Sequence, residues 1–292
     1  FAAIVVGLSI ATPVFLTRRN LLNIVRQSSI HGVMAIGMTF VILTAGIDLS
    51  VGSVLALTGV FCAYFEHAGL PVVLIVFGTM GAGTVVGLVN GIIITKGRVT
   101  PFVVTLGMMS VARGLTNILT DGQPISGFGD RFRYIGAGDF LGIPVPIVIF
   151  LMTLLTAAFI LRNTRLGRYT YAIGGNEEAV RLSGINVDRF KIAAYAIAGL
   201  TAALGAVILT ARLNAAESIA GQGYELDVIA SVVIGGTSLM GGRGSIWGTL
   251  LGALLIGTIN NGMNLLLIPA YWQLVVKGAI IVCAALLDRL RE

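Results

Sequence analysis

The sequence predicts an all-α integral membrane protein, a polytopic bundle of about ten transmembrane helices. Three observations predict it. Of 292 residues, 56% are hydrophobic and only 11% are charged, against about 25% charged in a soluble domain. A water-soluble body of this size has nowhere to hide so much apolar surface. Apolar runs recur along the whole chain, close to the ~20 residues a helix needs to cross ~30 Å of hydrocarbon. Glycine is abundant, at 39 residues, as expected where small residues let membrane helices approach closely.

In order, the expected spans are 1–16, 29–47, 49–65, 71–94, 101–119, 143–161, 190–211, 225–241, 245–262 and 271–287. Residues 1–16 lack the basic start and small-residue cleavage site of a signal peptide, and more spans follow. They read as the end of a first helix. Because the chain opens at Phe1 and not Met, some residues are expected to precede it. The whole chain, 1–292, reads as one transmembrane domain. The largest connections, 120–142 and 162–189, are too short for a substantial core of their own.

Orientation follows from lysine and arginine, which favour cytoplasmic loops. The segment 162–191 carries six of the 19 basic residues: Arg162, Arg165, Arg168, Arg181, Arg189 and Lys191. With that segment inside, Lys96, Arg98, Arg243, Arg289 and Arg291 also fall inside. The loops 66–70 and 263–270 fall outside and carry none. Arg18, Arg19 and Arg26 land outside, against the trend. An interfacial helix over 17–28, or a different span count near the N-terminus, would accommodate them.

Several chemistries are excluded. The net charge of +6 is spread over short loops and makes no basic face for nucleic acid. A phosphate-binding loop needs Gly-x-x-x-x-Gly-Lys before Ser or Thr. The nearest approach, Gly236 to Ser245, has no lysine and reads as a tight turn between helices. The chain is therefore not expected to hydrolyse ATP. His31 and His67 lie in different regions and read as packing or interfacial residues. Cys62 and Cys283 sit in apolar runs and read as buried, inert thiols. No ligand spacing for a metal occurs, and no cofactor is expected.

The segment 162–191 is the informative one. Asn176 reads as a helix N-cap, with Glu177 and Glu178 in the first turn, where acids suit the helix dipole. Gly184 reads as the stop. The result is a short helix of about two turns with mixed apolar and charged groups, shaped either as a peg for a partner's groove or as a solvated loop helix. Five stretches decide between these: Val41 to Ser53, Thr164 to Arg168, Gly223 to Asp227, Val233 to Ser245 and Asn260 to Leu265. With the 162–191 segment they resemble, nearly end to end, the permease subunits of bacterial ABC importers for ribose and related monosaccharides. The resemblance implies a pore-forming subunit in the bacterial inner membrane that works by alternating access. It implies as partners two cytoplasmic ATP-binding subunits, a periplasmic sugar-binding protein and a second permease subunit, identical or not. It also implies that Gly174, Gly175, Asn176, Glu177, Glu178, Arg181 and Gly184 dock onto the ATPase as a coupling helix. Other small ligands of such permeases, such as autoinducer-2, a sugar alcohol or a nucleoside, stay open. So does an ion-coupled secondary transporter.

Polar residues inside spans are functional candidates by default. Asp48 and Ser50 follow Gly46, where the helix is expected to break. There Asp48 is either a cap that fixes the break or a contact for substrate or gate. Asn90, Asn260, Asn261, Asn264 and Gln273 offer neutral hydrogen-bonding groups suited to a sugar, or bonds between helices. Gly46-Ile-Asp48-Leu49 and Gly223-Tyr-Glu225-Leu226 form a faint internal repeat. Gly83, Gly87 and Gly91, and likewise Gly248 and Gly252, recur every four residues and read as packing seams.

Overall fold

A computed structural model describes residues 1–289; Arg291 of the expected basic tail lies outside the described residues. The helices are α1 (Ala2–Ala11), α2 (Arg18–Leu43), α3 (Val51–His67), α4 (Val72–Lys96), α5 (Pro101–Thr120), α6 (Asp130–Ala137), α7 (Val145–Asn163), α8 (Arg165–Gly175), α9 (Glu177–Leu182), α10 (Val187–Leu213), α11 (Tyr224–Ile234), α12 (Ile246–Leu265) and α13 (Ala270–Arg289). Two small antiparallel pairs occur. The strand β1 (Ile125–Ser126) pairs with β4 (Ala215–Ala216), and β2 (Asp139–Phe140) pairs with β3 (Ile143–Pro144). Polar side chains start several helices by accepting from orphan amides: Thr17 for α2, Thr164 for α8, Asn186 for α10 and Ser245 for α12.

Among the described residues, four helices are long and apolar enough to cross a membrane: α4, α5, α7 and α10. The outer faces of α4, α5 and α7 expose Phe77, Phe102 and Phe159, which suits a lipid surroundings. The core lies around α10 and the second half of α2. Met34, Met38, Phe40, Tyr195 and Ile208 are fully enclosed there. Both glycine seams are real. A Cβ on Gly83 would stand 2.4 Å from the Gly199 carbonyl oxygen, and one on Gly87 2.2 Å from that of Tyr195, so α4 lies backbone to backbone on α10. Gly248 and Gly252 meet the Gly235 and Ser231 carbonyls in the same way, pressing α12 on α11.

Every expected span contains a helix, with four differences. The span expected over 29–47 begins eleven residues earlier. Residues 18–28 form no separate interfacial helix but the first turns of a 26-residue α2. The span expected over 225–241 is an 11-residue half-helix, about 16 Å long. It stops where Gly235 packs on Gly248 and Gly236 turns with positive φ. A second helix, α8, precedes the short helix of the 162–191 segment. Last, Cys283 is exposed whereas Cys62 is buried, so only one thiol fits the buried reading.

The contacts sort the connections into two ends. Lys96 pairs with Asp188, and the Tyr171 hydroxyl donates to the Gly244 carbonyl, at one end. At the other, the Gly129 amide donates to Glu66 and Arg26 pairs with Asp139 at 3.5 Å. The start of α2, with Arg18 and Arg19, therefore stands opposite the 162–191 segment.

Candidate functional site

The chain breaks after α2. Ala45 takes φ +56°, and the loop runs to Ser50 before α3 begins. Asp48 holds this loop. Its Oδ1 accepts from the Ser50 amide at 2.9 Å and from the Ser50 hydroxyl at 2.6 Å, and Asn90 Nδ2 on α4 donates to Ser50 Oγ at 3.0 Å. All three side chains are buried. The Ile47 carbonyl accepts from Thr105 of α5 at 3.4 Å and from Tyr195 of α10 at 3.5 Å. Asp48 thus closes a local turn just ahead of α3, whose N-cap is Ser50, and this loop is tied into three further helices.

The second break lies before α11. The 217–223 loop is clamped by Arg113 of α5, whose guanidinium donates to the Ser218 carbonyl at 2.6 Å and the Ala220 carbonyl at 2.9 Å. Gly221 and Gly223 have positive φ. The two breaks touch: a Cβ on Gly52 would come within 2.2 Å of the Gly221 carbonyl oxygen, and one on Gly221 within 2.4 Å of that of Gly52. The two stretches read as a faint repeat thus stand at two helix starts packed against each other.

The remaining amides do not gather with Asp48. Asn261 exchanges two 2.9 Å hydrogen bonds with Asn20 of α2. Gln273 donates to Asn264 at 3.0 Å near the outer ends of α12 and α13. Asn260 donates to Asp227 Oδ2 at 3.2 Å. That oxygen also receives Lys277 Nζ of α13 at 2.8 Å and lies 3.5 Å from His31 Nε2 of α2. The His31 ring packs against Tyr224 with centroids 4.2 Å apart and planes tilted by 47°. His31, expected as a packing or interfacial residue, thus meets Lys277 at Asp227, and for Lys277 the sequence carried no expectation. A lysine in the middle of the apolar run 271–287 was the signal that pointed here.

In the 162–191 segment, Asn176 Oδ1 accepts from the Ala179 amide at 2.9 Å, so the cap forms as expected, and Gly184 ends the turn at φ +80°. Glu177 meets Lys191 at 2.9 Å and Arg181 at 3.1 Å; Arg181 and Lys96 both meet Asp188. Burial disfavours the Glu177 carboxylate, but the hydrogen bonds and charges of Lys191 and Arg181 outweigh it and hold its pKa below the ordinary value. Gly175, Glu178, Arg181, Leu182 and Gly184 are exposed, while Val180 is tucked against Ile173 and Val187. Gly174 is different. A Cβ there would stand 1.9 Å from the Leu43 carbonyl oxygen and 2.2 Å from the Gly242 nitrogen. It marks a crossing where the end of α8 rests on the end of α2 and on the turn between α11 and α12. The Gly242 amide donates to that same Leu43 carbonyl at 3.0 Å.

Residues 20–285 match the family described as branched-chain amino acid transport system / permease component. The chain belongs to this permease family. It is 52% identical over 289 residues to the ribose import permease RbsC of Bacillus subtilis, covering 98% of this chain and 89% of that one. It is 49% identical to RbsC of Haemophilus influenzae over 99% of this chain and 91% of that one. The D-allose transport system permease AlsC of Escherichia coli is 42% identical, with 99% and 89% covered. No solved structure matches the chain. The resemblance read from the motifs is borne out, and the chain is a multi-pass membrane permease.

Proposed function

We propose that this permease is the pore-forming subunit of an ATP-driven importer that moves ribose, or a closely related small sugar, across the bacterial inner membrane by alternating access. The observation that carries the reading is identity of about half, end to end, with permeases named for ribose import. Relatives named for D-allose and xylose transport keep the substrate class at small sugars. Hydrolysis of ATP falls to separate cytoplasmic subunits. A periplasmic binding protein delivers the sugar, and a second permease subunit completes the pathway. In this reading the chain makes ten passes, of which the 217–223 loop and α11 together make one. The basic 162–191 end faces the cytoplasm.

In the same reading α9 is the coupling helix. Its exposed face, with Glu178, Arg181 and Leu182, engages the ATPase. The ion pairs of Glu177 and Asp188 tie it to α4 and α10. The Gly174 crossing passes its displacement to the end of α2 and to the turn before α12. The end of α2 leads directly into the first break, and the turn reaches the second through the 11 residues of α11, so one push acts on both.

The test is uptake of labelled ribose into proteoliposomes. Uptake is expected only when the permease is assembled with its ATP-binding subunits, with ATP on their side and the sugar-binding protein on the other. Proton-driven uptake by this chain alone would overturn the reading and favour an ion-coupled carrier.

A further inference from the structure

The His31, Asp227, Asn260 and Lys277 cluster carries more than an ion pair needs. Asp227 Oδ1, Asn260 Oδ1 and His31 Nε2 are buried atoms with no hydrogen-bond partner. All three belong to groups that meet around one carboxylate oxygen, Asp227 Oδ2. His31 Nδ1 lies 3.4 Å from the Gln27 carbonyl oxygen, an atom that can only accept. The ring nitrogens thus each face an acceptor, the Gln27 carbonyl oxygen at 3.4 Å and Asp227 Oδ2 at 3.5 Å, and a neutral ring can donate to only one of them. Two acceptors, Asp227 Oδ1 and Asn260 Oδ1, therefore converge without donors beside one ammonium group and one unpartnered ring nitrogen. Unmet acceptors are costly when buried, and charged groups within spans are costly again. A pin between α11 and α13 would use Asp227 and Lys277 and would not require His31 and Asn260 to bring unpartnered polar atoms to the same place.

Several neutral donors set close together on one small body are what adjacent hydroxyl groups supply. The Lys277 ammonium has further N–H donors for the hydroxyl oxygens. The Tyr224 ring, tilted against His31, gives an apolar edge for the C–H face of a sugar ring. We infer that His31, Asp227, Asn260 and Lys277 form a contact site for a polyhydroxyl ligand inside the membrane-spanning part of this chain. The inference rests on the sugar-transport reading and gives it a place. In this conformation the site is closed. The Asp227 side chain is 2% exposed, and only the rim, with His31 at 14% and Lys277 at 17%, remains open. Separation of α13 from α11 would admit the ligand.

The test uses the assembled permease and ATPase complex without the binding protein, with ribose as probe and saturation-transfer NMR as readout. The wild type is expected to show transfer to the ring protons. Asp227→Asn and His31→Phe are each expected to weaken it ~tenfold or more, as loss of a bound hydrogen-bonding group does. The double variant Asp227→Asn with Lys277→Gln removes the ion pair without leaving a lone charge. It is expected to stay as weak as Asp227→Asn. Recovery of transfer in the double variant would make the cluster a pin and overturn the site, as would unchanged transfer in His31→Phe. A wild type that imports ribose but shows no transfer also overturns the site and leaves the transport reading standing. A wild type with no ATP-dependent import sinks both.

Discussion

Gly174→Ala is a small change with a large expected effect, because it acts where three backbones cross. The added methyl would lie 1.9 Å from the Leu43 carbonyl oxygen and 2.2 Å from the Gly242 nitrogen, and must withdraw to the 3.4 Å of ordinary contact. Neither neighbour is a flexible side chain that can swing aside. Overpacking of this kind costs about 1–3 kcal/mol. Spreading the crossing also strains the hydrogen bond from the Gly242 amide to Leu43, and stranding that buried pair costs about 1–3 kcal/mol more. The expected penalty of about 2–6 kcal/mol falls on the joint and spares the spans. The assay pairs apparent melting temperature in detergent with ribose uptake and with ATP hydrolysis stimulated by the binding protein. The variant is expected to insert, to melt several degrees lower, and to hydrolyse ATP with little transport. Gly175→Ala, where a Cβ meets nothing within 4 Å, is expected to behave as wild type. Equal melting and equal coupling for the two variants would refute the argument that this crossing transmits force.

Glu177→Lys with Glu178→Lys is expected to leave membrane insertion intact but to weaken association with the ATP-binding subunits, measured by co-purification. Unchanged association and uptake would remove the coupling role of α9. Asn176→Ala removes the cap on the Ala179 amide and is expected to cost about 1 kcal/mol, read as faster hydrogen exchange confined to residues 177–183. The Glu177 carboxyl is held below its ordinary value of 4.5 by Lys191 and Arg181. Its contribution to stability is therefore complete above the unfolded-state value and is lost as pH falls through the lower folded-state value. The melting difference between wild type and Glu177→Gln is expected to be constant from pH 7 to 5 and to close only below pH 4.5; a gap that closes near neutrality would contradict this.

Much of the fold was legible because membrane helices obey a simple length rule, and each expected span holds a helix, with bounds that depart most at 29–47 and 225–241. The half-helix α11 was not legible because 225–241 is apolar throughout, and hydropathy cannot report that Gly235 must seat against Gly248. Helix α8 was hidden by its composition. Gly167, Gly174 and Gly175 are poor helix formers, and it is packing that settles it: Gly167 lies against Leu161 and Gly174 against Leu43. The cap at Asn176 and the stop at Gly184 were local and came out as read. The polar amides within the helices could be picked out singly, but their grouping could not, since Asn260, Asn261 and Asn264 bond to three different helices. Asp227 and Lys277 lie 50 residues apart, and no local pattern joins them.

The seam between α4 and α10 bears on how motion travels. With Gly83, Gly87 and Gly199 interlocked and Lys96 tied to Asp188 at one end, the two backbones touch at the glycines and the pair behaves as a stiff beam. Helix α4 has 25 residues, so the beam is about 37 Å long, and a 5° tilt imposed at one end swings the far end by about 3 Å. Two bare backbones held in register can thus turn a slight rocking at one surface of the bilayer into a displacement of atomic size at the other.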